Sequence, residues 1–352
     1  RLESEAVMTK QIQVGTVPVG GGAPVAIQSM CNTRTDDVEA TVQQILRLEA
    51  AGCEIIRVAV PDWPSARAIG AIRERIHIPL VVDIHFDYKL ALECIAAGAD
   101  KVRINPGNIG GKERVKAVAD ACRQKGIPIR IGVNGGSLEK PLLEKYGKVC
   151  PEALVESAFG HIRLLNQFDF DDICVSLKSS SVPVTMAAYR LMGERSQYPL
   201  HLGVTEAGTR TTGTIKSAIG IGGLLAQGIG DTFRVTLTAD PVEEVVVAKQ
   251  ILQAAGLRQD GPNLIACPTC GRTRIDLIPL AQEVEDRLKT VRKPITVAVM
   301  GCVVNGPGEA SAADVGIAGG NGFGFLFAHG QVLKKVPEDQ LVDQLFELIE
   351  TL

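Results

Sequence analysis

Net charge is almost absent: 37 Lys and Arg stand against 40 Asp and Glu, leaving −3 at pH 7. A chain this balanced has no global field to gather nucleic acid or an anionic membrane, so any anion must be held by a local basic patch. Long apolar runs are also missing. None reaches the ~18 residues that a membrane span requires, and the opening RLESEAVMTKQIQVG lacks the apolar centre of a secretory signal. A cytoplasmic protein with neither nucleic-acid nor membrane partners is expected. No G-x-G-x-x-G follows the first β-rich run, which weighs against an open dinucleotide-binding sheet. No nicotinamide or flavin fingerprint appears elsewhere.

What is present is ordinary globular composition, 45% hydrophobic and 22% charged, over 352 residues. That length suits a barrel plus a smaller partner domain. From residue 26 to 256 one unit repeats: a short apolar run, a polar tip, a turn, a helix, then Gly or Pro. The runs begin AIQSM at Ala26, IIRVAV at Ile55, LVVDIHF at Leu80 and KVRINPG at Lys101. They continue with IRIGVN at Ile129, ICVSLK at Ile173, LHLGVTE at Leu200 and FRVTLT at Phe233. Segments between them, such as DDVEATVQQILRLEAAG and PVEEVVVAKQILQAAG, space apolar residues at helical period. Eight alternating units predict a parallel (β/α)8 TIM barrel, α/β in class. KQIQVGTVPVGG reads as a hairpin able to plug its bottom, and Gly135–Cys150 as a longer rim connection able to act as a flap.

Catalytic groups of such barrels sit at the C-terminal strand ends. Those ends supply Gln28, Ser29, Arg57, Asp83, His85, Arg103, Asn105, Arg130, Asn134, Lys178, Glu206, Arg234 and Thr236. Residues two apart on a strand face the same way, so Arg103 goes with Asn105 and Arg234 with Thr236. Five cations from five strands converge, and Asp83 and Glu206 neutralise at most two. An unpaired buried cation costs several kcal/mol, so the excess asks for an anion, and Arg forks match phosphate oxygens. The bland readings are structural ion pairs for single Arg residues, a satisfied core histidine for His85 and a cap for Glu206. The sharper ones are an orienting group and an acid near a reacting centre.

A polar stretch, LRQDGPN at Leu257, reads as a linker, giving domains 1–258 and 259–352. The second domain shows a strand NLIAC, a helix LIPLAQEVEDRLKTVR, a strand ITVAVMGC, a Gly-rich segment and a final amphipathic helix. Cys267 and Cys270 end the first strand and Cys302 the second, as C-x2-C-x31-C, with six residues between Cys302 and Glu309. The spacing alone leaves iron–sulfur, zinc and thiol redox open. Zinc prefers four firm ligands, and no fourth Cys or His stands nearby. Three thiolates suit a cluster with one iron left for another ligand, and the loop VVNGPGEA could bring Glu309 or Asn305 to it. The other six Cys read as buried small hydrophobes.

These residues meet in a pattern. ACPTCGR at Ala266, GCVVNGPGEA at Gly301, QSMCNTRTDD, DIHFDYKLAL, RINPGNIG, RIGVNGGSLEK, HLGVTEAG, KSAIGIG and DTFRVTLTADPVEE occur in one order from about residue 10 onward. The set resembles the 4-hydroxy-3-methylbut-2-enyl diphosphate synthase family of the non-mevalonate isoprenoid pathway. The resemblance implies a TIM barrel followed by a smaller α/β iron–sulfur domain. It implies two-electron reductive ring opening of 2-C-methyl-D-erythritol 2,4-cyclodiphosphate, with ferredoxin or flavodoxin as donor. It implies a [4Fe–4S] cluster on Cys267, Cys270 and Cys302, with Glu309 as fourth ligand when substrate is away. Arg57, Arg103, Asn105, Arg130, Asn134, Lys178, Arg234 and Thr236 would bind substrate, and Glu206, Asn305 and His85 would serve the chemistry. A head-to-tail homodimer, the cluster domain of one subunit over the barrel of the other, is implied as well. Departures are small: Cys31 after Met30 where relatives often have Thr, and Thr236 where Ser is common. The competing reading is a barrel aldolase or phosphate-ester enzyme with a structural zinc site.

Overall fold

The computed structural model describes residues 8–303 and 312–352. It divides into two compact units, Arg1–Leu257 and Arg258–Leu352.

In the first unit, β1 (Ile12–Val14) and β2 (Val17–Val19) form an antiparallel hairpin. Its Ile12, Val14 and Val19 pack on Ala26, Ile55, Val81 and Cys174, which lie at or near the starts of barrel strands. The hairpin therefore plugs the barrel's lower end, as its sequence suggested. The barrel strands are β3 (Ala26–Met30), β4 (Ile55–Ala59), β5 (Leu80–Asp83), β6 (Lys101–Ile104), β7 (Ile129–Asn134), β8 (Ile173–Lys178), β9 (His201–Leu202) and β10 (Thr232–Phe233). All pairings are parallel, in the order β8-β7-β6-β5-β4-β3-β10-β9, and a single bridge from Val175 to Leu200 joins the two ends. β9 and β10 are far shorter than the runs that announced them. Their ladder continues only as single bonds, Arg234 N–H to Leu202 O at 3.0 Å and Thr205 N–H to Ser179 O at 3.4 Å.

The alternation of a closed sheet sorts the residues. Ile27, Ile56, Val58, Val82, Val102, Ile131, Val175 and Phe233 face outward and join one apolar cluster with helix residues such as Ile45, Leu48, Ile69 and Ile72. Each is worth roughly 1.5–3 kcal/mol on full burial, and this shell supports an interior that is itself polar. Helices start where an acid can cap them: Asp37 accepts from Ala40 N–H at 3.0 Å and Asp240 from Val242 N–H at 2.9 Å. The rim connection after β7 carries a 3-10 turn, Gly135–Ser137, and a helix, Lys140–Tyr146. Glu139 ties it down by accepting from Ser157 Oγ and pairing with His161 at 2.9 Å.

The second unit holds β11 (Asn263–Ala266), β12 (Thr296–Met300), β13 (Val315–Gly320), β14 (Phe323–Ala328) and β15 (Gln331–Pro337) in that spatial order. The first three run parallel and the last three antiparallel. The segment noted only as Gly-rich is a three-stranded meander. Helices Leu277–Leu288 and Leu341–Thr351 cover one face, burying Leu280, Val284, Leu341, Leu345 and Ile349 against Val297, Val299 and Ile317. Among the described residues no helix is long and apolar enough to cross a membrane.

Candidate functional site

The barrel interior holds six cations: Arg57, Lys101, Arg103, Arg130, Lys178 and Arg234. Arg130 is 1% exposed and Lys101 0%, so water cannot solvate them. Asp83, 2% exposed, is the carboxylate among them. It pairs with Arg103 Nη1 at 3.0 Å and Arg57 Nη2 at 3.2 Å. Burial alone would raise its pKa, but Arg57 and Arg103 outweigh that and hold the carboxyl below its usual range. Glu244 faces Arg234, and its Oε1 also accepts from Leu237 N–H at 2.9 Å.

Two carboxylates cannot neutralise six cations. Burial pulls Arg57 and Lys178 well below their ordinary values, with neighbouring cations adding to the effect. Arg130 is pushed down to about 10, first by burial and then by Arg103. Polar atoms are left over too. Arg57 Nε, Arg103 Nε, Arg130 Nε and Nη1, Arg234 Nε, both Gln28 amide atoms and Ser29 Oγ are buried without hydrogen-bond partners among the described residues. Buried donors are ordinarily satisfied. An array of orphaned guanidinium N–H groups has the chemistry of an anion site awaiting its ligand.

Two glycines make room for the array. A Cβ at residue 132 would lie 2.6 Å from Arg103 Nε, and one at 203 would lie 2.8 Å from Lys178 Cε. Both positions face inward on β7 and just after β9, so even alanine would displace a cation.

The remaining tip residues sit differently. Asn105 is buried, but its side-chain Oδ1 accepts from Gly107 N–H at 3.0 Å. Asn134 and Thr236 are half-buried near the ends of β7 and β10. His85 is exposed, its ring 6.0 Å from that of Phe86. Glu206 is exposed with φ of +53°. A non-glycine residue in the left-handed region costs about 1–3 kcal/mol and persists where surrounding structure enforces it, often at functional positions. Sequence reasoning missed Lys101, His201 and Thr232, which are fully buried, with Nζ, ring nitrogens and Oγ1 lacking partners among the described residues. They begin their strands, whereas attention fell on strand ends. The usable signal was parity: Lys101 shares its face with Arg103. Burial lowers Lys101 to about 8 and His201 well below its usual range.

In the second unit, Cys267 follows β11 and Cys302 follows β12, parallel neighbours with Ala266 opposite Val299. Gly301 N–H donates to Cys267 Sγ at 3.1 Å. Cys270 is exposed, and its N–H donates to Thr273 Oγ1 at 3.1 Å while Thr273 N–H returns to its carbonyl. A backbone N–H of Arg272, followed by the side chains of Thr273 and then Arg272, lowers the Cys270 pKa toward thiolate against a small opposing effect of burial. Arg274 N–H donates to Gly301 O, stitching the two Cys-bearing loops together. A cavity of about 330 Å³ beside Cys302 is lined also by Arg272, Arg274, Gly319 and Phe323.

Soft donors, N–H groups aimed at sulfur and a cavity beside them fit an iron–sulfur group. Among the described residues no three His, Cys, Asp or Glu side chains are gathered tightly enough for one metal ion. Asn305 and Glu309 lie outside the described residues. Five of the other six Cys contrast sharply. Burial pushes Cys31, Cys53 and Cys94 up to about 12, and Cys122 and Cys174 also upward, so they are inert thiols.

Residues 9–249 match the family model described as the GcpE TIM-barrel domain, and residues 263–351 match the GcpE protein C-terminal domain. A Geobacter sulfurreducens protein named 4-hydroxy-3-methylbut-2-en-1-yl diphosphate synthase (flavodoxin) is 59% identical over 342 residues, covering 97% of each chain. A Clostridium perfringens protein of the same name is 59% identical over 344 residues, covering 98% of this chain and 99% of its own. Among solved structures, an N-acetylneuraminic acid synthetase from Leptospira borgpetersenii aligns with a TM-score of 0.52 at 12% identity, over 80% of this chain and 97% of that one. At that identity only the fold is shared.

Proposed function

Because the chain belongs to the GcpE family, we infer that it reduces 2-C-methyl-D-erythritol 2,4-cyclodiphosphate to 4-hydroxy-3-methylbut-2-enyl diphosphate in isoprenoid biosynthesis. Two electrons enter, the ring C–O bond breaks to free the diphosphate at one end, and a hydroxyl leaves as water. The observation that carries this reading is the set of orphaned cationic N–H groups in the barrel. It calls for a ligand with several anionic oxygens, and a cyclic diphosphate brings them.

Arg57, Arg103, Arg130, Lys178 and Arg234 grip the diphosphate, with Asn105, Asn134 and Thr236 adding neutral hydrogen bonds. Gripping both phosphates fixes the carbon skeleton and prevents the freed end from drifting, which is positioning catalysis. Asp83 holds Arg57 and Arg103 in place instead of touching substrate. Glu206 holds the proton that leaves with the hydroxyl as water, and His85 orients the ligand at the rim. Cys267, Cys270 and Cys302, with Glu309 as fourth ligand, would hold a [4Fe–4S] cluster, which would supply the electrons. Flavodoxin or ferredoxin delivers them, the former supported by the relatives' names. The active molecule is a head-to-tail homodimer, and a monomer that turns over at full rate in sedimentation experiments would remove that element.

The direct test is anaerobic purification with iron and sulfide counts, then turnover of the cyclic diphosphate with reduced viologen. Four irons per chain and product are expected. Zinc-bearing or metal-free material that still forms product sinks the reading, and zinc without turnover points to the barrel aldolase or phosphate-ester alternative.

A further inference from the structure

We propose that the free edge of the C-terminal sheet, β15 with Lys334 and Lys335, is the docking surface for an acidic one-electron carrier protein. The proposal rests on the reading above that such a carrier feeds the cluster.

β15 is last in the strand order, so among the described residues one side of its backbone has no neighbour in the sheet. Residues 331–335 are all exposed, with Val332 at 59% and Leu333 at 52%. A long exposed apolar edge ordinarily invites another chain to cover it. Two lysines in its middle discourage a second copy, because identical edges would bring like charges together. The same two charges attract a partner with an acidic rim. No carboxylate lies on β15 itself. Of the two that follow it, Glu338 is occupied as an acceptor for Asp276 N–H at 2.7 Å, and Asp339 is the other.

The edge also leads inward to the thiolates. Lys335 Nζ sits 3.6 Å from the centroid of the Phe323 ring, against which Phe325 packs edge-on at 5.5 Å. Phe323 lines the same cavity as Cys302. Because β14 pairs antiparallel to β13, Phe323 lies at the sheet end where β12 delivers Cys302. From β15 to β12 is three inter-strand steps of ~4.8 Å, roughly 14 Å. A carrier seated on this edge would stand about three strand spacings, ~14 Å, from the strand that leads to Cys302.

The experiment uses the holoenzyme and two donors. Turnover is measured with reduced flavodoxin across ionic strength, and separately with reduced methyl viologen, a small cation. Lys334→Glu/Lys335→Glu is expected to lower the flavodoxin-driven rate about tenfold or more at low salt, with the gap closing toward 1 M salt as charges are screened. Its viologen-driven rate and iron content should stay at wild-type level or above. Leu333→Ser, which leaves charge alone, should weaken the flavodoxin rate at every salt concentration. Unchanged flavodoxin rates in these variants overturn the docking site alone. A fall in the viologen rate or iron content also overturns it, since the edge would then serve the cluster or the fold. Wild-type protein that turns over with viologen but with neither flavodoxin nor ferredoxin overturns the carrier reading, and the docking site with it.

Discussion

Arg130 lies inside the barrel with two nitrogens lacking partners among the described residues, whereas Cys270 stands exposed with its main chain pinned by Thr273. The two units present their ligand-binding atoms in opposite ways. In the barrel, cations are fixed and desolvated before any ligand arrives, held by Asp83 and by the space at Gly132 and Gly203. Stability is given up in advance so that little reorganises on binding. In the C-terminal unit, Cys267, Cys270 and Cys302 sit on loops at strand ends, and the proposed cluster would complete them, as metal sites commonly are completed. On the proposed reading, preorganisation belongs to the site that would hold a substrate and let its product go, and assembly on demand suits the site whose ligand would stay.

The largest effect should come from the assembled site. Cys302→Ser is expected to abolish the brown cluster absorbance and all turnover, while equilibrium binding of the cyclic diphosphate to the barrel survives. Normal absorbance and activity would remove Cys302 from the ligand set, and loss of diphosphate binding as well would break the contrast between the units. Next in size is Glu206→Gln. Losing a positioned proton donor typically lowers kcat by 10²–10⁴-fold, with iron content and substrate constant nearly unchanged. A wild-type rate would leave the left-handed backbone at Glu206 as a structural feature only.

Arg130→Met addresses the preorganised site. A hydrogen bond to a charged partner is worth about 1.5–3 kcal/mol, so the substrate constant should rise roughly 10- to 150-fold. The cluster spectrum should not change, and unaltered binding would mean Arg130 is structural.

The barrel was legible because its physics is local and periodic. β3, β7 and β8 coincide with runs visible in the sequence, since each apolar stretch ends at a polar tip followed by a helix cap. β9 and β10 shrank to two residues each, because strand length depends on neighbours that the run itself does not reveal. The meander from β13 to β15 was hidden by its glycines. Gly316 is required by the Phe327 ring and the Ala298 carbonyl beside it, and Gly324 by Leu341, so tertiary packing put weak strand formers into strands. Asn321-Gly322, a common turn pair between alternating runs, was the signal available. For the site, strand-end position located the mouth cations but gave no hint of the layer beneath, where Lys101 and His201 open their strands.

That lower layer gives the smallest effect and the finest test of what preorganisation costs. Lys101 is wholly buried, its Nζ has no partner among the described residues, and burial brings it to about 8. Its ordinary value is 10.5. Between about pH 8 and 10.5 the unfolded chain binds a proton that the folded chain does not, so stability rises with pH across that window. Below pH 8 both states are protonated and the penalty, about 3 kcal/mol, is fully present. Lys101→Met should therefore make the protein more heat-stable at pH 7, by several degrees, and the advantage should fade as pH climbs past 8. The same variant should bind the cyclic diphosphate less tightly, because one charge beneath Arg103 is gone. Calorimetry at pH 7 and 10 with a binding isotherm checks both. A variant less stable at pH 7 would show that Lys101 supports the fold, and the cationic interior would no longer stand as stability exchanged for binding.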